Sequence, residues 1–250
     1  MQYKAIVTDL DRTLLRTDKT ISARTVSVLH KAKEQGIYVI AATARPKRTM
    51  QEYDDVIGFD AVVCLNGAES SVGNEVISNF IPKSMGEAFL EKVCPKGEFV
   101  ISAEVDGKLY ANTVFPEWES IYYTDFPRLP NGNIHKIIIS YSEDALKTID
   151  ECLSEELYRS VANNILIQIM HKTATKWNGI SHALARLGVL PEESVYFGDD
   201  NDDIEPIIRC GLGVAVENGI EKVRDVADIV IASNDEDGVA GFISEKLLSF

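Results

Sequence analysis

Basic charge is in short supply in this chain. Its 250 residues hold 25 lysines and arginines against 39 aspartates and glutamates, a formal charge of −14. That imbalance sets aside nucleic acid and anionic membranes as main partners, since both demand the opposite sign. Cysteine is scarce as well: Cys64, Cys94, Cys152 and Cys210 are widely scattered, with no C-x-x-C and no histidine pair at metal-binding spacing. They read as reduced thiols, not as a disulfide framework or a zinc site. His30, His135, His171 and His182 stand isolated. No stretch approaches the ~18 apolar residues of a membrane span, and the amino terminus enters a strand without the basic segment and apolar run of a signal peptide. A cytoplasmic location is therefore expected. Two nucleotide fingerprints are also missing, GxGxxG after the first strand and GxxxxGK[ST] anywhere, which excludes a Rossmann oxidoreductase and a P-loop hydrolase. There is no internal repeat, low-complexity segment or long linker.

What is present is a repeating β-α pattern. Tyr3 to Thr8 is a short apolar, β-branched run and predicts a buried strand. A helix is predicted over Ala23 to Gln35, stopped by Gly36. Ile37 to Ala42 is a second strand, and Pro46 opens a helix over Lys47 to Val56. Ala61 to Leu65 is a third strand. Strands alternating with helices imply a parallel sheet covered on both faces. After Pro82 the rhythm changes: a helix over Lys83 to Val93, then two strand-like runs separated by Asp106-Gly107, a hairpin signal. A strand at His135 to Tyr141, a helix from Glu143 to Leu153 and two more strands follow. From about Lys172 the first rhythm returns, with strands at Ser194 to Phe197, Gly213 to Val216 and Asp228 to Ala232. The expected organisation is an α/β parallel-sheet core, 1–81 and 173–250, interrupted by an α+β domain, 82–172.

Acids stand where two strands end. Asp9 and Asp11 follow the first, and four aspartates occupy five positions in Asp199 to Asp203. Taken alone, each group also suits a turn and a helix cap. If they converge, their mutual repulsion calls for a hard divalent cation, and oxygen ligands point to Mg²⁺. Thr43, at a strand-to-helix junction, offers a hydroxyl and neighbouring N–H groups suited to phosphate. Lys176 offers a point charge.

In order along the chain, Asp9-Leu10-Asp11-x-Thr13-Leu14-Leu15, Ala42-Thr43-Ala44-Arg45-Pro46, Lys176 and Gly198-Asp199-x-x-Asp202-Asp203 resemble the four motifs of the haloacid dehalogenase (HAD) superfamily. Asn66-Gly67-Ala68, the position of the insertion and Ser233 to Ala240 are similar to its Cof-type phosphatases with a type IIB cap. The resemblance spans nearly the whole chain and implies a Rossmann-like HAD core with an inserted α+β cap domain. It further implies Mg²⁺-dependent hydrolysis of a small phosphorylated metabolite, a sugar phosphate or nucleotide, with a cap that selects the substrate. Asp9 would be the nucleophile and Asp11 the acid and base. Mg²⁺ would be held by the Asp9 carboxylate, the Asp11 carbonyl and Asp199. Thr43, Lys176 and the N–H groups of Leu10 and Ala44 would hold the phosphoryl oxygens. Arg45, Asn66, Asp202 and Asp203 would contact substrate or support the site. To act as an acid at pH 7, Asp11 would need its pKa raised by roughly 3 units.

The chain departs from the usual pattern in three places: Arg12 and Ala44 stand where glycine is common, and Asp202 where asparagine is. One expectation is that Arg12 neutralises Asp202 or Asp200. Two other functions fit the same motifs. A sugar phosphomutase would return the phosphoryl group to substrate, and a non-catalytic phosphoacceptor or metabolite sensor would keep it. The second lacks reason for an acid two residues after the acceptor. The sequence carries no decisive signal of oligomeric state.

Overall fold

The computed structural model describes residues 3–162 and 164–248, so residues 1–2 and 249–250 at the ends of the outer segments lie outside them. In chain order the first part runs β1 (Ala5–Thr8), α1 (Ala23–Glu34), β2 (Tyr38–Ala42), α2 (Gln51–Ile57), β3 (Ala61–Cys64), β4 (Glu69–Val72) and β5 (Glu75–Ser78). The middle part comprises α3 (Lys83–Val93), β6 (Ile101–Val105), β7 (Lys108–Ala111), β8 (Ile121–Tyr122), β9 (Ile134–Ser140), α4 (Glu143–Cys152), β10 (Leu157–Ala162) and β11 (Leu166–His171). The last part is α5 (Lys176–Arg186), β12 (Ser194–Gly198), α6 (Ile204–Arg209), β13 (Leu212–Val216), α7 (Glu221–Val226), β14 (Ile229–Ile231) and α8 (Gly238–Phe242). The chain divides into two compact units at Ile77/Ser78 and Ala174/Thr175, four residues before and two after the boundaries drawn from the sequence. Among the described residues, no helix is long and apolar enough to cross a membrane.

The outer unit is built on an eight-stranded sheet in the order β14-β13-β12-β1-β2-β3-β4-β5. The six strands from β14 to β3 are parallel, and β4 turns back antiparallel to β3. All four residues of β1 are buried, as a central strand covered on both faces requires. On one face Ala5, Val7, Ile40 and Tyr196 pack with Ile180, Ala183 and Leu184 of α5. On the other, the ring of Phe242 in α8 meets Phe197 edge to face at 5.8 Å. The order matters for function. From β1 the chain moves one way to β2 and β3, and later returns on the other side of β1 as β12, β13 and β14. The reversal falls between β1 and β12, and such a switch point opens a crevice at the carboxyl ends of the strands.

The inserted unit holds a six-stranded sheet, β10-β11-β9-β6-β7-β8, antiparallel except for β7 with β8. Asp106 and Gly107, both at positive φ, make the β6-β7 turn, as hairpin twist demands. Alternate residues Ile101, Ala103, Ile137, Ile139, Ile167 and Ile169 form one core with Phe89, Leu90 and Ile149 from α3 and α4. This is an α+β layer with its own interior.

Candidate active site

Five neighbouring strands end at one place. Asp9 follows β1, Thr43 follows β2, the turn Leu65–Gly67 follows β3, Asp199 follows β12, and Asn218 comes two residues after β13. Lys176 joins them as the first residue of α5, whose start is fixed by Thr175 accepting the Asn178 N–H through its side chain. The buried Lys176 Nζ donates to Asp9 Oδ1 and to Asp203 Oδ1, each at 2.6 Å. Lys176, Asp9 and Asp203 come from three distant parts of the sequence, and topology alone brings them together.

Asp203 is fully engaged. Its Oδ1 also accepts the Tyr196 hydroxyl at 2.6 Å, and its Oδ2 accepts the N–H groups of Asp199 and Asp200 at 2.8 and 3.0 Å. Four donors meet its four lone-pair sites. Gly198 has to be glycine here, because a Cβ would lie 2.5 Å from that of Asp203. Asp199 is oriented from the first motif: Thr13 Oγ1 donates to its Oδ1 at 2.9 Å.

Oxygens of Asp9, Asp199 and Asp203 lie within 4.8 Å of one another. Against three carboxylates stands one buried lysine, so the cluster carries two negative charges in excess when ionised. Burial, opposed by Lys176 and reinforced by Asp203 and Asp199, raises the Asp9 carboxyl well above its ordinary pKa. Burial and then the charge of Asp203 push Asp199 up to about 7. For Lys176 burial works the other way, but Asp203 and Asp9 outweigh it and hold the ammonium charged. A buried set of hard oxygen donors, short by two positive charges, fits a divalent cation. Because Asp203 is spent on its four donors, Asp9 and Asp199 are the carboxylates left to meet one.

Asp11 corrects an expectation. Its carboxylate is gripped by Arg45, with Nε on Oδ2 at 2.7 Å and Nη2 on Oδ1 at 2.8 Å, and Lys19 Nζ lies 2.7 Å from Oδ1. Burial by itself raises its pKa, but the hydrogen bonds and charges of Arg45 and Lys19 win, and the carboxyl sits below its ordinary value. The raised pKa expected of an acid is absent in this geometry. Arg45 is itself seated, its guanidinium 5.1 Å from the centre of the Tyr53 ring.

Thr43 is buried, and its Oγ1 accepts the Arg45 N–H at 3.1 Å, which leaves the hydroxyl proton to donate elsewhere. Leu10 is buried in a tight turn, its carbonyl accepting the N–H groups of Thr13 and Leu15. Ala44 is exposed just after β2 and has no positive φ, so alanine fits where glycine was the norm. Arg12 does not share that ease. At φ 64° it occupies the left-handed region, and Asn218 holds it there by exchanging two hydrogen bonds with it. Its guanidinium Nε lies 3.9 Å from Asp199 Oδ2, while Asp202 Oδ2 accepts Asn66 Nδ2 at 2.6 Å. Sequence reading assigned no role to Thr13, Lys19, Tyr53, Tyr196 or Asn218. Thr13 lies inside the first acidic motif and Tyr196 two residues before Gly198, so those two carried a signal; the others did not.

A family model for haloacid dehalogenase-like hydrolases matches residues 6–243. The chain is 27% identical over 266 residues to a putative phosphatase of Haemophilus influenzae, covering 98% of this chain and 99% of that protein. It is 26% identical over 261 residues to the 5-amino-6-(5-phospho-D-ribitylamino)uracil phosphatase YitU of Bacillus subtilis, covering 96% of each. Among solved structures, the HAD subclass IIB sugar phosphatase BT4131 superposes with a TM-score of 0.83 at 23% identity, over 96% of this chain and 98% of that one. The chain belongs to the haloacid dehalogenase-like hydrolases, and within them to the Cof-type phosphatases.

Proposed function

We propose that the protein hydrolyses the phosphate monoester of a small metabolite, a sugar phosphate or a nucleotide, through an aspartyl-phosphate on Asp9, with Mg²⁺ as cofactor. The observation that carries this is the Asp9 carboxylate fixed by Lys176 at 2.6 Å beside Asp199, at the switch point of the sheet. Asp9 and Asp199, with the Asp11 carbonyl, would hold the cation, which when bound supplies charge neutralisation for the phosphoryl oxygens. The relatives' names support the chemistry and leave the leaving group open.

In the first half-reaction the Asp9 carboxylate attacks phosphorus, the ester P–O bond breaks, and the leaving oxygen takes a proton. Lys176 keeps the attacking carboxylate in one orientation and its charge beside the incoming phosphoryl group. The Thr43 hydroxyl and the N–H groups of Leu10 and Ala44 donate to the phosphoryl oxygens. In the second half-reaction water, losing a proton to Asp11, attacks the acyl phosphate, and phosphate leaves with Asp9 regenerated. The ionised Asp11 described above suits this base role directly. To deliver the earlier proton it has to release Arg45 and Lys19 and be protonated. Four free cysteines accord with a reducing cytoplasm, and the acidic surface with a small-molecule partner instead of nucleic acid.

Incubating the protein and Mg²⁺ with a panel of phosphorylated metabolites tests the reading. Phosphate release by the parent chain and its loss in Asp9→Asn support it; a product that is a positional isomer of the substrate marks a mutase, and a long-lived phosphoprotein marks a switch.

A further inference from the structure

The corner of the site where Thr43, Asn66 and Asp202 meet is lined with acceptors. Asn66 follows β3 with φ 54° and ψ 34°, a left-handed geometry that asparagine tolerates better than most residues. Its N–H donates to the Thr43 carbonyl at 3.0 Å, and its Nδ2 to Asp202 Oδ2 at 2.6 Å. The second bond fixes which way round the carboxamide stands, since the reverse would set oxygen against oxygen. Asn66 Oδ1, in a wholly buried side chain, is thereby left with no hydrogen-bond partner. The neighbour of Asp202 in sequence, Asp203, holds Lys176. The Asp202 carboxylate is thus linked to the Thr43 side of the phosphoryl site through Asn66 and to the Lys176 side through its own backbone.

We propose that Asp202 makes the site selective for phosphoryl groups that carry a proton, so that the substrate is taken as the monoanion with its P–OH donated to the Asp202 carboxylate. This rests on the phosphatase reading above. A phosphate dianion presents acceptors only. Opposite a carboxylate and an unmet carboxamide oxygen it gains no hydrogen bond and meets charge of its own sign. A monoanion keeps its proton and shares it, with no transfer required. An asparagine at this position has a donor to turn toward either ionic form, so the aspartate is what introduces the preference. Phosphate monoesters lose their second proton at a pKa near ~6, and the two forms therefore compete in the range where the enzyme works.

Methylphosphonate and methanesulfonate separate the two cases: both carry one negative charge at low pH, neither can be hydrolysed as an ester, and the sulfonate has no proton to give. Binding of each to the full chain with Mg²⁺ is measured calorimetrically at about pH 5 and about pH 9, on either side of the ionisation that strips the phosphonate of its last proton, which lies somewhat above that of a phosphate monoester. The parent chain is expected to bind the phosphonate over the sulfonate by roughly tenfold or more at the lower pH, the worth of one hydrogen bond to a charged group. It is expected to lose most of that preference at the higher pH. Asp202→Asn, nearly isosteric, should take both anions with little difference between the two pH values. Equal binding of the phosphonate and the sulfonate by the parent at low pH overturns the proposal without recourse to any variant, and so does an unchanged preference in Asp202→Asn. Failure of the underlying reading has a different signature: the parent chain releases no phosphate from any monoester.

Discussion

Removing divalent cations should make the stability of this protein fall as pH rises from ~4 to ~7, the reverse of what carboxylates with lowered pKa do. The effect is centred on Asp199, whose carboxyl is raised from 3.8 to about 7 by burial and by Asp203. The folded chain then holds a proton that the unfolded chain has already released, so stability declines with each step of pH between the two values. The contribution is fully present below ~4, is lost progressively up to ~7, and stays lost above. About 3 units at ~1.4 kcal/mol each come to roughly 4 kcal/mol. For a chain of this length that is on the order of 8–16 °C in Tm. Asp11, Asp18, Asp150, Glu151, Glu156, Glu193 and Asp235 are shifted downward, so their contributions change at more acid pH and leave this window to the buried cluster. Thermal melts of EDTA-treated protein across the window, repeated with Mg²⁺, read the effect. Mg²⁺ should stabilise far more at the alkaline end than at the acid end. Asp199→Asn should make the EDTA curve shallower, leaving the part that Asp9, raised by burial as well, contributes. A flat curve for the parent, or the same slope in Asp199→Asn, would refute the reasoning.

Four substitutions probe the rest of the site. Asp9→Asn should cut phosphate release by roughly 10³-fold or more while the melt moves little, since Lys176 keeps Asp203; retained turnover would exclude Asp9 as nucleophile. Asp203→Asn breaks a buried ion pair and disturbs two backbone bonds, and should destabilise by about 3–5 kcal/mol, read from denaturant unfolding. Gly67→Ala would put a Cβ 2.0 Å from the Thr175 carbonyl oxygen at a φ of +92°; strain alone is worth about 1–3 kcal/mol, and activity should drop with stability because Lys176 shifts with Thr175. Arg45→Ala removes the stronger of the two grips on Asp11, so the Asp11 carboxyl rises and the pH dependence of phosphate release should move toward higher pH. An unmoved profile would show that Asp11 is not the group titrating in turnover.

The strands that carry the site were legible because each is a short apolar run ended by a polar cluster. Parallel strands buried on both faces have to look that way, and β1, β2, β3, β12 and β13 do. The β4-β5 hairpin was not legible: Glu69-Ser70-Ser71-Val72 and Glu75-Val76-Ile77-Ser78 lie toward one end of the sheet, mostly half-exposed or exposed, and lack an apolar face to announce them. Helix α8 and the single π turn after it, Ile243–Leu247, were likewise unread. Within the site, residue types were readable and their partners were not. Asp202 and Asp203 are adjacent acids in one 3₁₀ turn, yet one meets Asn66 and the other Lys176 and Tyr196. Only the direction of the turn relative to the sheet decides which is which. The grip of Arg45 and Lys19 on Asp11 depends in the same way on two loops meeting in space.

The turn after β3 shows why the site is worth more to this fold than its local energies suggest. Leu65, Asn66 and Gly67 have φ of 50°, 54° and 92°, three successive residues in the left-handed region, two of them with side chains. Each non-glycine residue there costs on the order of 1–3 kcal/mol, and a relaxed turn would avoid that. Yet each of the three makes a connection that a relaxed turn would lose. The Leu65 N–H donates to the Arg45 carbonyl at 3.0 Å, and the Asn66 N–H to the Thr43 carbonyl at 3.0 Å. Gly67 lies against the backbone of Thr175, the cap of the helix that starts with Lys176. One strained turn therefore sets the relative positions of the threonine, the arginine and the lysine. Rigid placement of that kind is what a site needs if its charges are to meet a phosphoryl group without reorganising.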